Sequence, residues 1–138
     1  TIEKNEGIKI ADYLTIHLPL NNDTKNFIDA SEFSFMKSSA IIVNSARGGI
    51  VNEDALFIAL KNNKILGAAL DVFEKEPLSK ESGLWGLPNA LLSSHNADIV
   101  DSYEDGTVDV FLKRYGEFIS EGFDGFDEGV MVDRGKGY

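Results

Sequence analysis

The sequence has no cysteine among its 138 residues, and its basic side chains are few. Without cysteine there can be no disulfide framework and no thiolate metal site, and we expect a cytoplasmic location. We identify no residues as metal ligands. Lys and Arg number 13 against 23 Asp and Glu, which gives a formal net charge of −10. Nucleic acid and anionic membranes would repel such a chain, so neither is expected as a partner.

Long apolar runs are also missing, since no stretch approaches the roughly 20 residues that a membrane-spanning helix needs. Hydrophobic residues make up 43% and charged residues 26% of the chain, which are ordinary globular values. A chain of 138 residues can form one domain with a modest core, or part of one.

A third absence concerns nucleotide binding, because no G-x-G-x-x-G motif occurs in the sequence. A nucleotide-binding sheet normally opens with a strand, a glycine-rich turn and a helix whose backbone N–H groups receive a pyrophosphate. We therefore expect the chain to begin in mid-fold, inside a helix that precedes its first strand.

Four short apolar segments predict β-strands, over 13–18, 40–44, 65–70 and 90–93. They are apolar almost throughout, which is typical of parallel strands that are covered on both faces. Helices are predicted over 31–36 and 53–62, the second with Asn52 as its N-cap. This alternation predicts an α/β fold with a parallel sheet. A longer helix is predicted from about Asp98 to Ile119, followed by a glycine-rich tail.

Arg47, Glu76 and His95 each fall at or soon after the end of a predicted strand, where open α/β sheets collect their ligands. A guanidinium can hold the carboxylate and carbonyl of a 2-oxo acid through two parallel hydrogen bonds. An imidazole is suited to passing a proton near neutrality, and a carboxylate on its second nitrogen would orient it and raise its pKa. The three residue types together suggest reduction of a carbonyl.

Taken singly, each of these residues has a simpler explanation. Arg47 beside two glycines could be a surface charge in a turn, and Glu76 could be one member of a solvated acidic loop. His95 could be a structural histidine at the end of a strand. Their common placement after strands is what favours a shared function.

Four segments in order, 11–20, 42–51, 67–78 and 84–89, resemble the D-isomer-specific 2-hydroxyacid dehydrogenases, and the resemblance runs from about Ile8 to Asp98. It implies an α/β fold that is the C-terminal half of a Rossmann-like doubly wound parallel sheet, followed by a long helix and an irregular tail. The implied division is a partial NAD-binding domain over 1–97, a helix over 98–121 and a tail over 122–138.

The resemblance also implies roles for individual residues. Arg47 would anchor the substrate, His95 would donate or accept the proton, and Glu76 would hold and tune the histidine. NAD is the implied cofactor, although NADP is not excluded. The residues implied to bind it are Leu18, Pro19, Thr24, Ser45, Ala46, Arg47, Asp71 and His95.

This sequence departs from the family pattern in two ways. Ser93 and Ser94 stand where the family usually has Thr-Pro before the histidine, and the loss of proline relaxes the backbone that aims His95. The glycine-rich half and the substrate domain are also absent from the chain. We expect a small 2-oxo or 2-hydroxy acid as substrate, the missing half or domain as a partner, and a homodimer in the complete protein. The isolated chain is expected to be inactive, and the alternative is a non-catalytic interaction or oligomerisation module.

Overall fold

The computed structural model describes residues 1–99 and 103–122, and the chain divides into two compact units. The first unit is Thr1–Asn96 and contains the sheet. The second begins at Ala97 and contains a long helix.

The first unit is built on a four-stranded sheet with strands β1 Tyr13–Ile16, β2 Ile41–Asn44, β3 Gly67–Leu70 and β4 Ala90–Leu92. The strands lie in the order β1-β2-β3-β4, and each pairs in parallel with the next. The predicted parallel α/β sheet is therefore confirmed, with strands one to two residues shorter at their ends. In the register, Ile16 aligns with Asn44, Asn44 with Leu70 and Leu70 with Leu92, so all four strands end at one edge.

Three helices belong to this unit: α1 Lys4–Ile10, α2 Ala30–Phe35 and α3 Glu53–Lys61. Asn52 is the N-cap of α3, as predicted, and its side-chain oxygen accepts from the N–H of Ala55. Helix α2 begins with a capping box that we did not predict, formed by Asp29 and Glu32. Between β3 and β4 the chain forms only a short 3-10 helix, Gly83–Gly86.

The core lies between the sheet and these helices, with α2 in contact with both α1 and α3. It contains Ile16, Ile28, Phe33, Ile42, Leu56, Leu60, Ala68 and Leu70. On the opposite face of the sheet, Tyr13 is 71% exposed and Leu91 is 72% exposed. Within the first unit, the expected cover on both faces is therefore found on one face only, where the three helices pack.

The second unit contains helix α4 Tyr103–Glu121. The predicted start at Asp98 is wrong, since residues 97 and 98 form a turn and the helix begins at Tyr103. Several apolar side chains of α4 are exposed, among them Val108, Phe111 and Tyr115. The tail prediction lies outside the described residues except for Gly122. Within the ranges that the structure describes, no helix is both long and apolar enough to cross a membrane.

Candidate functional site at the carboxyl edge of the sheet

The predicted site residues lie in loops that leave the sheet at one edge. Ser45, Ala46 and Arg47 follow β2, Asp71 directly follows β3, and His95 lies three residues after β4. Leu18 and Pro19 lie in the segment after β1. Because the strands are parallel, their carboxyl ends meet at the same edge, where α/β proteins place their ligands.

Glu76 and His95 are in direct contact at this edge. Nδ1 of His95 lies 2.7 Å from Oε2 of Glu76, and the other carboxylate oxygen of Glu76 accepts from the N–H of Phe73 at 3.0 Å. The carboxylate is thus fixed to its own loop while it holds the imidazole. A carboxylate can only accept, so Nδ1 carries the proton and Nε2 is left for exchange with a substrate.

Glu76 and His95 each shift the pKa of the other in the direction that favours its charged form. The hydrogen bond that His95 donates to Glu76 raises the pKa of His95, with a further contribution from the charge of Glu76. The hydrogen bond to His95 lowers the pKa of Glu76, as does its bond to the backbone of Phe73. The pair therefore favours an ionised carboxylate beside a protonated imidazole, which is the form that can donate a proton.

Arg47 is exposed, and its guanidinium Nη1 donates to the carbonyl oxygen of its neighbour Ala46 at 2.6 Å. Its positive charge acts on His95, whose pKa it lowers, against the larger effect of Glu76. The structure thus brings all three members of the predicted set to one edge, with contact between two of them and an electrostatic influence from the third. Their catalytic roles stay predictions.

The loop that carries Arg47 is shaped by Asn44, which we did not predict to have a role at the site. Asn44 is the last residue of β2 and is buried, and its side chain accepts from the N–H of Ala46 and donates to the carbonyl of Arg47. This Asx turn closes the loop on the end of the strand. An asparagine at the end of an apolar strand was the available signal.

Asp71 is buried, and its carboxylate is directed at the segment that carries His95. Its Oδ1 accepts from the hydroxyl of Ser93 at 2.5 Å and from the N–H of Asn96 at 3.1 Å. These contacts are also those of an ordinary cap at the end of a strand. Its expected contact with the nicotinamide stays a prediction.

The loops bearing Arg47 and Glu76 are packed closely together. A Cβ atom on Gly48 would lie 1.8 Å from the carbonyl oxygen of Phe73, so only glycine allows the observed approach. Glu53 and Glu74 join the same region, since each side chain accepts from the backbone N–H of the other. Burial and the charge of Glu74 raise the pKa of Glu53, although its bond from the N–H of Glu74 opposes them.

Pro19 and Thr24 are brought together by a hydrogen bond from the Thr24 hydroxyl to the Pro19 carbonyl at 2.6 Å. The same hydroxyl accepts from the N–H of Asn21 at 2.8 Å, which closes the turn after β1. These are ordinary turn contacts. Their expected place on the adenine side of the cofactor stays a prediction.

An open pocket of about 370 Å³ lies beside the Glu76–His95 pair. Its apolar wall includes Phe73, Leu78, Trp85 and Leu92. The indole of Trp85 is largely exposed and is held by a bond from Nε1 to the carbonyl of Ser79 at 2.9 Å. The pair thus borders a concave surface in which an uncharged group could lie. Among the described residues, no cluster of three or more His, Asp and Glu could hold a metal ion.

Comparison with known proteins identifies, over most of this chain, the family that the sequence motifs resemble. Residues 2–97 match the family model described as D-isomer specific 2-hydroxyacid dehydrogenase, NAD binding domain. D-3-phosphoglycerate dehydrogenase of Methanocaldococcus jannaschii is 48% identical over 91 residues, 66% of this chain and 17% of that protein. Glyoxylate/hydroxypyruvate reductase B of Klebsiella pneumoniae is 47% identical over 85 residues, 62% of this chain and 26% of that protein.

Solved structures agree with the sequence comparison. A D-isomer specific 2-hydroxyacid dehydrogenase from Xanthobacter autotrophicus Py2, in complex with NADPH and MES, gives a TM-score of 0.79 at 31% identity. The match covers 97% of this chain and 53% of that one. The NAD-complexed D-isomer specific 2-hydroxyacid dehydrogenase from Lactobacillus delbrueckii ssp. bulgaricus gives a TM-score of 0.75 at 28% identity. That match covers 88% of this chain and 40% of the other.

The chain therefore spans about a quarter or less of the length of the curated relatives it matches. The predicted fold is confirmed as part of a Rossmann-like parallel sheet followed by a long helix. With the family model matched over most of its length, this chain belongs to the D-isomer-specific 2-hydroxyacid dehydrogenases and carries NAD-binding-domain sequence of that family.

Proposed function

We propose that the complete protein is an NAD-dependent D-2-hydroxyacid dehydrogenase, in which this chain supplies the acid-base pair and the substrate anchor. The observation that carries the proposal is the 2.7 Å contact between His95 Nδ1 and Glu76 Oε2. It lies at the edge of the sheet where Arg47 also emerges. The reaction would interconvert a small 2-oxo acid and the corresponding 2-hydroxy acid in the cytoplasm.

When bound, the cofactor supplies or accepts a hydride at the carbonyl carbon. In reduction, His95 donates its Nε2 proton to the carbonyl oxygen, so that the oxygen becomes a hydroxyl as the carbon gains the hydride. Glu76 stabilises the imidazolium before transfer and fixes the orientation of the ring. In oxidation, neutral His95 accepts the hydroxyl proton through the same nitrogen.

Arg47 would hold the carboxylate of the substrate through two parallel N–H bonds and would stabilise negative charge on the carbonyl oxygen. Its guanidinium is exposed and donates to the carbonyl of the adjacent Ala46, an exchangeable contact that lets it turn toward a substrate. The chain is strongly acidic overall, and therefore attraction of an anionic substrate depends on this local cation.

The residues present fit the nicotinamide half of a dinucleotide better than its pyrophosphate. Ser45, Ala46, Arg47, Asp71 and His95 share one edge of the sheet and combine exposed polar groups with a buried carboxylate. Leu18, Pro19 and Thr24 would line the adenine side. A glycine-rich turn for the pyrophosphate is not encoded in this sequence, so we expect cofactor affinity to require the remaining part of the domain.

The test is turnover by the complete protein, followed as loss of NADH absorbance with a panel of small 2-oxo acids. Arg47→Ala should lower kcat/KM by roughly 10²–10³-fold, a much larger effect than its effect on NADH affinity, which is measured by fluorescence titration. Arg114→Ala is the matched control, since Arg114 is on α4 and pairs with Glu117. Unchanged turnover in Arg47→Ala would remove Arg47 from the mechanism. Titration with NADPH in parallel decides the cofactor.

The alternative is a non-catalytic module that binds a partner or a second copy. It is favoured by the outer strand β1, on which Tyr13 is largely exposed. A purified complete protein that oxidises no NADH with any substrate, yet forms a stable complex through β1, would support this alternative. A dimer with turnover would support the enzyme, for which a homodimer is expected.

A further inference from the structure

His95 has an unusual backbone conformation for a residue on which proton transfer depends. Its φ is +53°, in the left-handed region that L-residues seldom occupy. Its side chain is 45% exposed, so packing alone does not hold it in place. A conformation of this kind persists only when the surrounding structure fixes it.

The contacts that flank His95 converge on one buried oxygen. Asp71 Oδ1 accepts from the Ser93 hydroxyl, two residues before His95, and from the Asn96 N–H, one residue after it. The N–H of Ser93 also donates to the carbonyl of Leu70 at 2.9 Å. The turn over 93–96 is thus bonded on both sides of His95 to the end of β3.

Asp71 itself is well anchored. Its side chain is buried, and its N–H donates to the carbonyl oxygen of Asn44 on the neighbouring strand at 2.9 Å. The anchor is therefore tied directly to the end of the sheet. A carboxylate makes stronger hydrogen bonds than a neutral acceptor, which suits it to hold a strained turn.

The sequence gives a reason why this anchor is needed. Ser94 precedes His95, and a serine leaves φ of that position free where a proline ring would fix it. In this chain the backbone before His95 is therefore restrained by the hydrogen bonds to Asp71 and not by a proline ring. Ser93 supplies the hydroxyl donor for that purpose.

We propose that Asp71 is a positioning residue for His95, acting through Ser93 and the Asn96 N–H to hold the imidazole against Glu76. The contribution of this positioning to catalysis rests on the function proposed above. Asp71 need not touch the substrate or the proton in transit, and a contact with the nicotinamide is compatible with this role. The two roles differ in what happens when Ser93 is changed, since Ser93→Ala leaves the carboxylate itself in place.

The test is titration of His95 by NMR in the 138-residue chain without cofactor or substrate. The chain has two histidines, so the second imidazole is an internal reference. The charges that act on His95 are those of Glu76, Arg47 and Asp71, and Ser93→Ala retains all three. Ser93→Ala should lower the pKa of His95 most of the way to its value in Glu76→Gln, and should speed hydrogen exchange at the Asn96 amide.

Three further variants make the result specific. Ser93→Thr keeps the donor and should titrate like the wild type, as should Ser94→Ala, which removes the adjacent hydroxyl and leaves both bonds to Asp71 in place. Ser93→Cys keeps a side chain of similar shape with a weaker donor, so the pKa of His95 should lie between those of the wild type and Ser93→Ala. This variant replaces Ser93→Ala in the test if Ser93→Ala does not fold. In a Glu76→Gln background, Ser93→Ala should no longer move the pKa of His95.

An unchanged pKa of His95 in a folded Ser93→Ala chain would overturn the proposal, and so would an equal shift with and without Glu76. In the complete protein, Ser93→Ala should lower kcat by roughly tenfold to a hundredfold while sparing NADH affinity. Loss of NADH affinity with normal His95 titration would assign Asp71 to the cofactor alone and would also overturn it. Absence of all turnover, with the NMR results as expected, would refute the proposed function and leave the positioning role standing.

Discussion

Replacing Gly48 with alanine should separate the loop of Arg47 from the loop of Glu76. The new Cβ would lie 1.8 Å from the carbonyl oxygen of Phe73 and 2.6 Å from the N–H nitrogen of Glu74, both backbone atoms. These loops must move apart by roughly 1.2 Å to reach the 3.0 Å that real Cβ contacts respect. Overpacking of this kind costs about 1–3 kcal/mol, and displacement by about 1 Å at a reacting centre can cost roughly 10²-fold in rate.

Two measurements check this prediction. Denaturant unfolding of the 138-residue chain should show a loss of about 1–3 kcal/mol for Gly48→Ala. In the complete protein, kcat/KM should fall by roughly 10²-fold. Gly86→Ala is the matched control, since a Cβ on Gly86 would meet open space. If Gly48→Ala were as stable and as active as Gly86→Ala, the close approach of the two loops would not matter, and the argument from packing would be refuted.

Three other predictions concern separate parts of the molecule. Glu76→Gln should lower the pKa of His95, because the hydrogen bond to Glu76 is the largest contribution that raises it. Reduction needs protonated His95, so the loss of activity at high pH should begin at a lower pH in the variant. An unchanged pH profile would contradict the pairing of Glu76 with His95. Burial raises the pKa of Glu32, but hydrogen bonds led by Lys4 bring it down from 4.5 to about 2, so its stabilisation is present above pH 4.5 and is lost as pH falls toward 2. Denaturant unfolding should therefore show the wild type losing about 3 kcal/mol more than Glu32→Gln between those limits, and parallel curves would refute this. Tyr13→Lys should reduce self-association through the edge strand β1, measured by sedimentation, and a monodisperse wild-type monomer would show that the edge does not associate.

The sheet could be predicted from sequence because its strands have local signals. Each is a short β-branched or aliphatic run with a turn at its end, and the alternation with helices implies parallel pairing. The placement of Arg47 and His95 at one edge follows from that topology. The contact between Glu76 and His95, which the choice of residue types suggested, is present in the structure.

Contacts between loops could not be predicted in the same way. Asp71 and Asn96 are 25 positions apart, and no periodic pattern relates a strand-end carboxylate to a distant backbone N–H. The left-handed backbone of His95 also has no signal, since glycine or asparagine is the usual marker of that conformation. The start of α4 was misplaced because apolar Ile99 fits a helical stripe, whereas its preceding residues form a turn.

In the proposed mechanism, the groups that would react are separate from the groups that would position them. Arg47, Glu76 and His95 are exposed, whereas Asn44 and Asp71, which shape the loops after two adjacent strands, are buried. An exposed side chain contributes little packing, so its removal should change chemistry and leave the folded chain nearly as stable. Removal of a buried polar anchor leaves its partners unsatisfied and should cost stability as well as geometry. The sheet thus determines where Arg47, Glu76 and His95 lie, while their exposure would leave them accessible to a substrate in the proposed mechanism.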